Sequence, residues 1–111
     1  MTKAVFTRKQ GRIIRIECEG HTGYGVEGED IVCDAISSIV QTAVLGVLGV
    51  ALVNARYEVD DRRGYLLLEI PEGITKEQKH DVQVILQTLL LGVSDLHEAY
   101  SNFVRLEVKE L

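Results

Sequence analysis

The chain has 111 residues, 46% hydrophobic and 26% charged, enough to bury one core without disulfides or metals, so a single domain over residues 1–111 is expected. Its formal net charge is −5, with acidic and basic residues mixed along the chain. That distribution argues against a nucleic-acid groove and is compatible with basic protein partners drawn in by long-range steering. A chain of this size leaves much surface exposed, which fits a homodimer burying a further apolar face.

The segment from Met1 to Arg8 lacks the apolar stretch and small-residue cleavage site of a signal peptide, so a cytoplasmic location is expected. In that reducing compartment the two cysteines, Cys18 and Cys33, are expected as thiols and not as a disulfide. Lys3 to Arg8 and Arg12 to Cys18 read as two strands joined by a turn at Lys9-Gln10-Gly11, with Ile14, Ile16 and Cys18 on one face of the second. Glu19 to Asp30 interleaves Gly20, Gly23, Gly25 and Gly28 with polar residues and reads as a mobile loop.

Asp30 is placed to cap a helix that begins at Ile31 and runs to about Val53, apolar on nearly every side and therefore central. Ala35 to Val53 carries no charge and approaches the length of a membrane span. Ser37, Ser38, Gln41 and Thr42 in its first half, and the lack of an aromatic belt or flanking basic cluster, favour a core helix with no membrane. Arg56 to Val59 and Tyr65 to Ile70 read as a second hairpin. A second helix follows, opened by a capping box of Thr75 and Gln78, with Val82, Ile85, Leu86, Leu89, Val93 and Leu96 on its buried face and Asp81, Gln83 and Gln87 facing water. Phe103 to Val108 gives a last strand. The predicted architecture is a two-layer α+β domain of order ββαββαβ, a mixed or antiparallel sheet packed against two helices.

The chemistry concentrates in Gly20 to Ser37. A cysteine in the first turn of a helix lies near the positive end of the macrodipole and near unpaired N–H groups, which favour thiolate over thiol, and this marks Cys33. His21, at a strand end just before the loop, can return to the helix start as general base, and the same N–H groups can receive an oxyanion. Asp30 has a supporting role, either orienting His21 or capping the helix. Cys18 continues a buried strand face, and His80 and His97 read as solvated.

The string Gly20-His21, a loop with Gly23, Tyr24 and Gly28, then Asp30-Ile31-Val32-Cys33 and Ala35-Ile36-Ser37 resembles the signature of the bacterial ribosomal-processing cysteine protease family Prp. The resemblance implies a catalytic pair of His21 and Cys33. It also implies a substrate-binding loop with Gly20, Gly23, Tyr24, Gly25, Gly28 and Ser37 and a homodimer; thiol chemistry of this kind needs no cofactor, and no metal is expected. Members of that family remove a short N-terminal extension from a large-subunit ribosomal protein, cutting after aromatic residues and before a small one. Asp34 departs from the pattern, which more often has a small residue there; a carboxylate facing the site would oppose the thiolate, and one facing solvent would be screened. Two readings compete: a non-enzymatic dimeric peptide- or ribosome-binding module, and a zinc site from Cys18, His21 and Cys33.

Overall fold

A computed structural model describes residues 1–20 and 29–111, with side chains described from residue 31 onward in the second stretch. Its elements run β1 (Thr2–Lys9), β2 (Arg12–Gly20), α1 (Glu29–Gly49), β3 (Arg56–Asp60), β4 (Tyr65–Glu69), α2 (Lys76–Ala99) and β5 (Val104–Glu110), the expected order ββαββαβ. The five strands form one mixed sheet in the spatial order β3-β4-β2-β1-β5. The hairpins pair antiparallel, as does β2 with β4, while β5 returns to lie parallel to β1.

Both helices cover one face of this sheet. Ala4, Phe6, Ile16 and Leu68 from the strands meet Ile36, Val40, Val44 and Val47 of α1 and Val82, Leu86 and Val93 of α2 in one continuous core. The opposite face carries charge: Lys3 pairs with Glu107 at 3.6 Å, Arg15 with Glu17 at 3.3 Å and Glu69 at 3.7 Å, and Arg56 with Glu58 at 3.0 Å. One apolar and one polar face is the usual solution for a largely antiparallel sheet covered on one side. Helix α1 is long and apolar enough to cross a membrane by length and composition, and here its apolar stripe packs on the sheet.

The β2 register departs from the simple alternation expected of it. A bulge between the Thr7 and Arg8 pairings leaves Ile14 opposite no partner, so the face flips: Ile13 is fully buried with Ile16 and Cys18, while Ile14 is only partly covered. Gln83 responds to this irregularity. Its side-chain Oε1 accepts from Ile13 N at 2.8 Å and its Nε2 donates to Ile13 O at 2.8 Å, so it faces the strand and not water. His97 likewise is not free in solvent but has its Nδ1 2.8 Å from the Val104 carbonyl.

Helix α1 starts two residues before the expected Ile31 and stops at Gly49, short of Val53. The Val50 and Ala51 amides both close on the Gly46 carbonyl at 2.9 Å, and Leu52 adopts a positive φ of 57°. Ala51 and Val53 stay buried in this non-helical turn, which is why apolar periodicity overran the true end. Helix α2 has the predicted capping box, with Gln78 N donating to Thr75 Oγ1 at 3.0 Å and Thr75 N to Gln78 Oε1 at 2.9 Å.

Candidate active site

Cys33 is the fifth residue of α1, two residues further into the helix than the expected start implied. Asp30 is then the second helical residue and not the cap. The macrodipole acts mainly over the first turn, so its hold on this thiol is weaker than the sequence alone suggested. Local packing sets its position. Cys33 is 3% exposed, and its Sγ lies 2.6 Å from Oγ1 of Thr2, the first residue of β1.

Thr2 stands opposite Gly20, the last residue of β2, so the strand that leads into His21 ends beside the cysteine. Gly20 is fixed from its other side. Its N–H donates to the Gly64 carbonyl at 3.0 Å, in the turn between β3 and β4. Gly64 has φ +59°, and a Cβ there would lie 2.0 Å from the Gly20 oxygen, so both conformation and space demand glycine. Arg63 stacks over the Tyr65 ring at 4.8 Å and pairs with Glu19 at 3.7 Å, and Tyr65 donates to Glu17 at 3.1 Å, which ties the turn to β2.

A cavity of about 190 Å³ opens at this corner, lined by Thr2, Cys18, Cys33, Ser37, Val59 and Tyr65 among others. Ser37 lies one helical turn beyond Cys33 and lines the same cavity. Asp34 is exposed and does not line the cavity, so solvent screens its charge. Cys18 shares the cavity wall but has a different character: burial, with Glu17 adding to it, pushes its thiol up to about 12. It remains protonated at neutral pH. A larger cavity of about 880 Å³ near Ile13, Arg15, Pro71 and Gln83 lies at the far end of β2, away from both cysteines.

His21 and the loop residues Gly23, Tyr24, Gly25 and Gly28 lie outside the described residues, as does the side chain of Asp30. Among the described residues no three His, Cys, Asp or Glu side chains gather as metal ligands. Thr2, Gly64 and Tyr65 were not singled out from the sequence. Counting back from the Lys9-Gln10-Gly11 turn sets Thr2 opposite Glu19, and only the bulge moves it opposite Gly20, so the sequence did not announce this pairing.

A buried helix thiol on the wall of a cavity, beside the strand that runs on in the sequence to a histidine, is compatible with the thiol-hydrolase class of site. The comparisons make the class specific: the family model described as Cysteine protease Prp matches residues 1–105, and the chain belongs to that cysteine protease family. It is 24% identical over 106 residues to the ribosomal processing cysteine protease Prp of Bacillus subtilis, covering 95% of each chain. It is 26% identical over 109 residues to that of Staphylococcus aureus, covering 98% of this chain and 99% of the relative.

Among solved structures, the Streptococcus mutans protein SMU.848 superposes with a TM-score of 0.88 at 29% identity, over all of this chain and 96% of that one. The Staphylococcus aureus protease Prp with a covalently linked product peptide matches with a TM-score of 0.82 at 26% identity, over 98% of this chain and 100% of that one. The five-stranded mixed sheet with two helices is thus the Prp fold.

Proposed function

We propose that this cysteine protease removes the N-terminal extension of a large-subunit ribosomal protein, with Cys33 as nucleophile and His21 as general base and acid. The observation that carries the reading is the position of Cys33, buried on the wall of the cavity and joined through Thr2 to Gly20, the residue that precedes His21. The name of the relatives, ribosomal processing cysteine protease, supports the substrate class. A product peptide covalently linked to the Staphylococcus aureus protease supports covalent chemistry.

In the proposed reaction His21 takes the Cys33 proton and Sγ attacks the scissile carbonyl carbon, forming the C–S bond. The C–N bond breaks as His21 returns that proton to the departing amine. Water, deprotonated by His21, then attacks the thioester, releasing the carboxylate and restoring the thiol. No cofactor enters these steps. Asp30 has the supporting role of orienting His21, and Gly20, Gly23, Tyr24, Gly25, Gly28 and Ser37 form the substrate-binding segment. The working form is a cytoplasmic homodimer.

The test is incubation of the purified protein with a peptide carrying Phe-Phe before Ala, followed by mass spectrometry. Cleavage by the native chain, abolished in Cys33→Ala and in His21→Ala while both remain folded, is expected. Cleavage retained by either variant would refute the assignment. Peptide binding without cleavage in the native chain would favour a binding module.

A further inference from the structure

The cysteine site contains a polar atom that the mechanism above does not use. Thr2 Oγ1 lies 2.6 Å from Cys33 Sγ with both side chains buried, Thr2 at 4% exposure and Cys33 at 3%. The hydroxyl is held there from several sides. Thr2 N donates to the Phe103 carbonyl at 2.9 Å, which fixes the start of β1 against the entry to β5. Across β2, a Cβ on Gly20 would meet Thr2 Oγ1 at 2.9 Å, so the glycine of the Gly20-His21 pair is what leaves room for the hydroxyl. From the helix side, Val32 and Ile36 anchor α1 in the core on either side of Cys33 and limit its movement.

Either atom can supply the hydrogen while the sulfur is a thiol. Once the sulfur has lost its proton, only the hydroxyl has one to give. A hydrogen bond to an ionised acceptor is stronger than one between neutral groups, and attack on a carbonyl passes through the charged sulfur. We infer that Thr2 is a positioning residue of the cysteine site: its hydroxyl donates to the charged Cys33 sulfur and holds it in one orientation at the cavity wall. The bearing of this on cleavage rests on Cys33 being the nucleophile, as proposed above; the contact itself is testable on the thiol alone.

Valine at position 2 keeps the shape of threonine and removes the hydroxyl, whereas serine keeps the hydroxyl. The measurement is the rate of iodoacetamide alkylation at Cys33 over a pH series, read by mass spectrometry on the Cys33 peptide in wild type, Thr2→Val and Thr2→Ser. Thr2→Val is expected to lose about tenfold in rate near neutral pH, with its profile displaced to the alkaline side, as removal of one charge-assisted hydrogen bond implies. Thr2→Ser is expected to follow wild type. A purely structural role would lower the unfolding midpoint of Thr2→Val and leave the pH profile where it was. If Thr2→Val does not fold, Thr2→Ala serves as the hydroxyl-free variant against the same serine control. Coincident rates and profiles in the hydroxyl-free variant and wild type would overturn the inference. Survival of peptide cleavage in Cys33→Ala would instead refute the nucleophile assignment, and the alkylation result would stand apart from it.

Discussion

Two thiols, Cys18 and Cys33, line one cavity. Cys18 is pushed up to about 12 from an ordinary 9.0 by burial, with Glu17 adding to the effect, so in the folded protein it keeps its proton through the neutral range. Mass-spectrometric mapping after brief alkylation at neutral pH is expected to find Cys18 unmodified until the chain unfolds. The same shift has a thermodynamic sign. Between pH 9.0 and about 12 the folded state binds a proton that the unfolded state releases, so Cys18 makes stability fall as pH rises through that window. Urea titrations in that range should show a shallower decline for Cys18→Val than for wild type. Gly64 is the other residue with a sharp prospect: Gly64→Ala combines a positive φ with a Cβ 2.0 Å from the Gly20 oxygen. A loss of at least about 2 kcal/mol in denaturant unfolding is expected. At this scale the string of Gly20-His21 and Asp30-Ile31-Val32-Cys33 was enough to point to the family to which the chain belongs. The sequence was not legible at Thr2, whose importance comes from a neighbour 31 positions away.

Elements were read well where their signals are local. Thr75 and Gln78 form the capping box that their spacing implied, and Thr75→Ala is expected to cost about 1 kcal/mol in thermal or urea unfolding. The turns at Gln10-Gly11 and around Gly64 lie where the hairpins predicted them, with positive φ at Gln10, Gly11 and Gly64. Errors arose where an element answers to a partner. The bulge at Ile14 changes which isoleucine of β2 is buried, and no feature within β2 itself announces it. Gln83 then serves the irregular strand instead of solvent, through two hydrogen bonds to Ile13. Gln83→Leu should therefore destabilise by about 1–3 kcal/mol by denaturant titration, since it strands a buried N–H and C=O. A change below a few tenths of a kcal/mol would show that water replaces the glutamine.

For the whole molecule, the order ββαββαβ was readable because glycine, proline and cap residues punctuate each apolar run. The arrangement β3-β4-β2-β1-β5 was not, because the parallel pairing of β1 with β5 joins segments from opposite parts of the chain and leaves no local pattern. The ion pairs on the uncovered face involve partly exposed side chains and contribute little each, so added salt is expected to shift the unfolding midpoint only slightly. Exposed apolar side chains on the other side include Leu45 at 69%, Leu52 at 72% and Val59 at 49%. For the proposed homodimer, sedimentation is expected to give twice the mass of one chain, and Leu45→Glu combined with Leu52→Glu to shift the population to single chains. An unchanged mass in that variant would place the interface elsewhere.

The bond from Thr2 N to the Phe103 carbonyl, together with the β1–β5 pairing that begins at Thr2 and Val104, sets the order in which the molecule can be finished. Contacts of such long sequence separation form late, because most of the chain must be present and closed before they are made. A chain that has formed only its first hairpin and α1 still lacks the strand that seats residue 2. The Cys33 thiol therefore meets its finished surroundings only once β5 has docked beside β1. Docking of β5 and completion of the corner where Thr2 meets Cys33 are then one event.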